Sequence, residues 1–105
     1  MFIAINRIRV TRGEGGELEE RFAQSSGIEE LPGFIEFRLL KKTWGHGDDE
    51  ADEYLSMTQW ASKKDFVAWT KSEAFKKAHS GPRAKGVIGA QPAGYEVVVE
   101  RGVEG

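Results

Sequence analysis

The sequence has no cysteine, and it has only two histidines and one asparagine. Without cysteine the chain has no disulfides, no thiolate metal ligands and no thiol nucleophile. No apolar run reaches the length of a membrane-spanning helix. The first ten residues also lack the long apolar segment and small-residue cleavage site of a secretory signal. We therefore expect a cytoplasmic protein that does not work in a membrane.

The chain has the size and charge of one small soluble domain. Its 105 residues are enough to bury one core, so we predict a single domain over residues 1–105. The formal net charge is −2, but five acids and no Lys or Arg lie within residues 45–53, so the remainder carries a small positive excess. That excess suits an anionic small molecule and is too weak to indicate nucleic acid.

Hydrophobic periodicity predicts alternating strands and helices. Helices are expected at residues 17–27, 63–71 and 73–80, and strands at residues 2–11, 34–42, 53–60 and 95–101, the last after a glycine-rich loop at 83–94. The order β-α-β-β-α-β is the ferredoxin-like α+β arrangement, in which the helices cover one face of an antiparallel sheet. Because the strands are apolar on both faces, we expect the other face to pack in a homodimer.

Two features do not fit a plain core. Asn6 interrupts the apolar face of the first strand, and a buried amide without partners costs about 1–3 kcal/mol. Near the other end of the chain, Phe66 and Trp69 are three residues apart and Phe75 and His79 are four apart, so each pair shares a helix face. A histidine beside an aromatic wall indicates a site for a flat cofactor.

Each of these residues also has a plainer interpretation. A helical histidine such as His79 is more often exposed or hydrogen-bonded than a metal ligand. Phe66 and Trp69 are typical of ordinary core packing. Asn6 could bond to backbone or water. His46, in a glycine-rich acidic loop, is better explained as a solvated side chain than as part of a metal site.

The order of these residues along the chain is more specific than any one of them. Further motifs accompany them: ERFA at residues 20–23, PGF at 32–34, Trp60 at the end of the third strand, and Arg83. Together with Asn6, Phe66-x-x-Trp69 and Phe75-x-x-x-His79, this pattern resembles the IsdG-type haem-degrading monooxygenases of the antibiotic-biosynthesis-monooxygenase (ABM) superfamily. The resemblance implies a dimeric α+β barrel that binds haem as cofactor and substrate, and that opens its ring with O2 and electrons from an external reductase.

The resemblance also implies a role for each site residue. His79 is expected to ligate the haem iron, Asn6 to donate its amide N–H toward the reacting oxygen, and Trp69 to press on the porphyrin and ruffle it. From charge, Arg21 and Arg83 are candidates to bind the haem propionates, with solvated surface arginines as the alternative. Phe22, Phe66 and Phe75 are candidates for the apolar wall, with ordinary core packing as the alternative. Two alternatives stay open: a cofactor-independent monooxygenase acting on a quinol or polyketide, and a haem-binding protein that is not an enzyme.

Overall fold

The computed structural model describes residues 1–24, 26–47 and 50–102. Its elements are β1 (Phe2–Thr11), α1 (Gly16–Ala23), a single 3-10 turn (Ile28–Glu30), β2 (Phe34–Lys41), β3 (Ala51–Trp60), α2 (Lys63–Thr70), α3 (Glu73–Ala78) and β4 (Val87–Glu96). The strands form one sheet in the order β2-β3-β1-β4, with every neighbouring pair antiparallel. The predicted ferredoxin-like α+β class is therefore confirmed. No helix in the described ranges has both the length and the apolar character to cross a membrane.

The prediction for the last strand is wrong. β4 occupies Val87–Glu96, most of which we expected to be loop, and residues 97–102 form no helix or strand. β4 pairs with β1 from Phe2↔Glu96 to Val10↔Val87. Its Gly, Ala and Pro residues carry little strand propensity, so the hydrogen bonds that β1 offers decide the outcome. Gly94 is required there because a Cβ at this position would overlap the ring of Phe2.

The remaining elements lie where the sequence predicts them, with ends shifted by a few residues. α1 ends at Ala23, earlier than expected, and position 25 lies outside the described residues. Each of the last two helices has a serine N-cap: the side chain of Ser62 accepts from Asp65 N, and that of Ser72 accepts from Phe75 N. The second cap starts α3 at Glu73, shortly after α2 ends at Thr70.

The core is divided into two clusters on the helix-covered face of the sheet. One contains Ile8, Val10, Leu18, Tyr54 and Ala84, and the other contains Phe2, Ile28 and Trp60. Ala4 packs against the second cluster, while Ile8 belongs to the first. Asn6 lies between Ala4 and Ile8 on β1, so the one polar position on this face of the strand coincides with the boundary between the clusters.

The opposite face of the sheet carries partly exposed apolar side chains beside charged ones such as the ion-paired Arg7 and Glu53. Tyr95 pairs with Ile3 across β4 and β1, and Leu40 pairs with Leu55 across β2 and β3. Tyr95 and Leu40 are 55% and 43% exposed. Because the helices pack on the other side, no described element covers this face.

Candidate active site

Asn6 lies on the helix-facing side of β1, half-buried, between Ser56 of β3 and Pro92 of β4. Its Oδ1 atom is buried and has no hydrogen-bond partner among the described residues. Buried polar atoms without partners are uncommon, and each costs about 1–3 kcal/mol in a folded protein. The Asn6 oxygen therefore has a free accepting position that water or a bound molecule can use.

Trp69 of α2 carries the other orphaned atom. Its Nε1 is buried and has no acceptor. In the described part of the chain, Trp69 Nε1 and Asn6 Oδ1 are the two buried side-chain nitrogen or oxygen atoms without a hydrogen-bond partner. The indole is stacked on Trp60 at 5.5 Å between ring centroids and meets the edge of Phe75 at 4.9 Å. Rings on two sides fix its orientation, so its N–H is presented at a set position.

His79 lies at the C-terminal cap of α3 with an exposed side chain. Its ring stacks on Phe75 with centroids 4.0 Å apart, and its centroid is 6.3 Å from that of Trp69. The Nδ1 atom lies 2.9 Å from the carbonyl oxygen of Phe75. Because a carbonyl only accepts, neutral His79 carries its proton on Nδ1 and leaves the Nε2 lone pair free. This is the tautomer that a metal ligand needs.

The predicted aromatic wall divides between the two core clusters. Phe66 packs with the second cluster, 5.2 Å from Phe2 and 5.9 Å from Trp69 between centroids. Phe75 bridges Trp69 and His79. Phe22 packs instead against the first cluster and stacks on Phe37 of β2 at 5.5 Å. The structure therefore joins Phe75 to His79 by a direct ring contact and Phe66 to His79 only through Trp69, and it places Phe22 on α1 with neither.

The two predicted arginines meet at the segment that follows His79. Arg21 donates from Nη1 to the carbonyl of Pro82 at 2.7 Å and from Nη2 to Glu17 Oε1 at 3.0 Å. Arg83, the next residue after Pro82, is exposed and makes no hydrogen bond or ion pair with the residues that the structure describes. Arg83 therefore has its whole guanidinium available to an anion, whereas Arg21 is already engaged.

Sequence reasoning missed two carboxylates of α1. Glu17 accepts the backbone N–H of Lys85 at 2.8 Å, and that hydrogen bond is the largest cause holding the pKa of Glu17 below its usual value. Glu19 accepts the hydroxyl of Tyr54 at 2.6 Å, and burial, followed by this bond, raises the pKa of Tyr54 to about 12. The i,i+4 spacing of Glu17 and Arg21 is visible in the sequence, but their shared contact with residues 82–85 is not.

His46 stays apart from the other site residues. It lies in the exposed segment after β2, and positions 48 and 49 of the predicted acidic loop lie outside the described residues. Within the described ranges no three His, Asp or Glu side chains are grouped as a metal site would require. The candidate site therefore consists of Asn6 on β1 and the connected rings of Trp69, Phe75 and His79 on the helices.

Comparison with known proteins places the chain in a family. The family model described as antibiotic biosynthesis monooxygenase matches residues 1–81. A haem-degrading monooxygenase of Shouchella clausii is 39% identical over 103 residues, which cover 96% of this chain and 94% of the relative. A mycobilin-producing haem oxygenase of Mycobacterium tuberculosis is 39% identical over 105 residues, covering 98% of this chain and 94% of the relative.

A solved structure agrees with these relatives. The structure of a haem degrader from Mycobacterium tuberculosis, with two haems bound in its active site, has a TM-score of 0.78 and 33% identity. It covers 97% of this chain and 100% of that chain. The resemblance found in the sequence is thereby confirmed: the chain belongs to the antibiotic biosynthesis monooxygenase family, alongside its haem-degrading members.

Proposed function

We propose that this chain is a haem-degrading monooxygenase that binds haem, opens its ring oxidatively and releases the iron. The observation that carries the proposal is the pair of buried polar atoms without partners, Asn6 Oδ1 and Trp69 Nε1, together with a histidine that has a free Nε2 and a ring centroid 6.3 Å from that of Trp69. The relatives named above act on haem, and the candidate site contains the groups that a haem requires. It needs an axial ligand, flat apolar neighbours and a polar group near the reacting oxygen.

His79 is the proposed iron ligand. Bound haem supplies the iron at which O2 is activated, and its own ring is the group that is oxidised. The hydrogen bond to the Phe75 carbonyl and the stacking on the Phe75 ring hold the imidazole in one tautomer and one orientation. Metal binding at Nε2 then requires no rotation away from these contacts.

Asn6 and Trp69 are the proposed catalytic partners of His79. Asn6 Oδ1 has no hydrogen-bond partner inside the described part of the chain. We propose that the other atom of this amide, Nδ2, donates its N–H to the reacting oxygen. Trp69 is held between Trp60 and Phe75, so it cannot yield when a flat ring is pressed against it. We propose that this stiffness ruffles the porphyrin and directs oxidation to its rim.

The remaining contacts with haem are proposed from charge and packing. Arg83 and Arg21 would place positive charge near the propionates, with Arg83 making the direct contact because it has no partner among the described residues. Phe66 and Phe75 would form the apolar wall on one side, and Phe22 of α1 would contribute on the other. O2 is the proposed co-substrate, and an external reductase is the proposed source of electrons.

The quaternary structure and location are also proposals. The uncovered sheet face, with Tyr95 and Leu40 exposed beside Ile3 and Leu55, supports a homodimer in which two sheets face one another. Light scattering at micromolar concentration tests this, and a monomeric mass would contradict it. The cytoplasmic location and the single domain over residues 1–105 stay predictions.

A hemin titration followed by reductant tests the proposed function. We expect a Soret band that grows on binding and bleaches when ascorbate and O2 are supplied, with iron released. His79→Ala should remove or greatly weaken the band, while His46→Ala, which removes the other histidine, should leave it unchanged. An unchanged spectrum in His79→Ala would show that the ligand is assigned wrongly. The absence of any haem signal would favour a cofactor-independent quinol or polyketide monooxygenase, and binding without bleaching would favour a non-enzymatic haem-binding protein.

A further inference from the structure

The segment that follows His79 is attached to α1 at both of its ends. At one end Arg21 Nη1 donates to the carbonyl of Pro82 at 2.7 Å, and at the other Glu17 Oε2 accepts the N–H of Lys85 at 2.8 Å. Arg21 Nη2 also donates to Glu17 Oε1 at 3.0 Å, so the two side chains brace one another. We call this arrangement, formed by Glu17 and Arg21 on residues 82–85, the α1 clamp.

One buried residue anchors the clamped segment in the core. Ala84 is 6% exposed and belongs to the first core cluster. By contrast, α3 has no buried residue. The clamped segment is bounded by Gly81 and Gly86, both in the left-handed region with φ of +86° and +85°. The position of α3 therefore depends on its attachments: the packing of Phe75 on Trp69 before His79, and the clamp after it.

We propose that Glu17 and Arg21 are positioning residues for iron ligation by His79. His79 is three residues from Pro82, so a shift of the clamped segment moves the imidazole with it. A metal–nitrogen bond tolerates a displacement of only about 0.2 Å. The clamp uses charge-assisted hydrogen bonds, which are shorter and stronger than neutral ones and therefore suit a positioning role. This inference rests on the proposed function, because it concerns the histidine that binds haem.

The experiment compares hemin with metal-free protoporphyrin IX, which fits the same walls but cannot bind His79 through a metal. The 105-residue chain is titrated with each ligand. The Soret band measures hemin binding, and tryptophan fluorescence measures the binding of both ligands. In Glu17→Ala we expect the Kd for hemin to rise about tenfold, the equivalent of one charge-assisted hydrogen bond. The Kd for metal-free protoporphyrin IX should stay the same, and the hemin spectrum should shift toward that of His79→Ala.

Matched variants separate positioning from folding and from charge. Glu20→Ala removes the same charge from the same helix, and Glu20 makes no hydrogen bond or ion pair within the described ranges, so hemin binding should be unchanged. Glu17→Gln keeps an oxygen that can accept from Lys85 N, and it should restore part of the hemin affinity. The side chains of Arg21 and Glu17 are 43% and 42% exposed, so the fold should survive their replacement. If Glu17→Ala does not fold, Arg21→Lys provides the same comparison, since it keeps the charge but cannot bridge both acceptors.

The outcomes are distinguishable from failure of the proposed function. Equal weakening of both ligands in Glu17→Ala, or no weakening of hemin, would overturn the clamp while leaving haem binding intact. In the His79→Ala background the clamp variant should cause no further loss of hemin affinity, and an additive loss would also overturn it. If the unmodified chain does not bind hemin, the proposed function fails, and the clamp inference fails with it.

Discussion

Replacing Asn6 with leucine should stabilise the ligand-free protein while abolishing haem degradation. The Asn6 Oδ1 atom is buried and unpartnered, and such an atom costs about 1–3 kcal/mol. Leucine has the same branched arrangement of four side-chain heavy atoms as asparagine, and it would join Ala4 and Ile8 at the boundary between the two core clusters. Removing the penalty should raise the free energy of unfolding by about 1 kcal/mol, or Tm by about 4–8 °C for a domain of this size.

The assay is thermal unfolding of ligand-free Asn6→Leu and of the unmodified chain at one protein concentration, because a dimer's Tm depends on concentration. Hemin turnover under ascorbate is measured in parallel. Asn6→Asp serves as the opposite control, since it places an unpaired charge at the same point and should lower Tm. Lower stability of Asn6→Leu would mean that the amide has a structural partner, and the argument from its orphaned oxygen would be refuted. Turnover at the normal rate would refute the catalytic role.

Two further predictions concern the contact of Tyr54 with α1. Folding raises the pKa of Tyr54 from 10.0 to about 12, so the stability it contributes is complete below pH 10 and is lost as the pH rises through about 12. Denaturant unfolding across this range should show that loss, and Tyr54→Phe, which also lacks the bond to Glu19, should not show it. A Cβ at Gly15 would overlap the Tyr54 hydroxyl, so Gly15→Ala should destabilise the protein by about 1–3 kcal/mol. Gly16→Ala is the control, because its Cβ would meet nothing within 4 Å and alanine favours the helix; equal stability of the two variants would contradict the reasoning.

The sequence predicts β1 and its anomaly well because both depend on local pattern. Apolar residues at positions 2, 4, 8 and 10 mark one face of the strand, and the polar residue in the middle of that face marks Asn6. What the pattern cannot show is that the Asn6 oxygen lacks a partner. That depends on Ser56 and Pro92, which the sheet brings alongside from strands far away in sequence.

The features that sequence reasoning missed depend on tertiary contacts. β4 has no alternation of its own over residues such as Gly89, Pro92 and Gly94, and it is a strand because β1 offers hydrogen bonds along its length. The clamp of Glu17 on Lys85 likewise joins residues 68 positions apart. Local sequence propensity carries no information about either contact. Periodicity alone therefore predicted a loop where the structure has a strand.

On the proposed function, haem bound beside Asn6 becomes a temporary part of the protein interior. A haem bound at this site would pack where the two clusters meet. It would stabilise the fold in proportion to its occupancy. Each turnover destroys the molecule that supplies this stability, so the protein would return to its less stable form as the ring opens. The melting temperature would therefore rise when haem binds and fall as haem is degraded. Because the opened product would fit the site less well than haem, it would not compete with the next haem molecule.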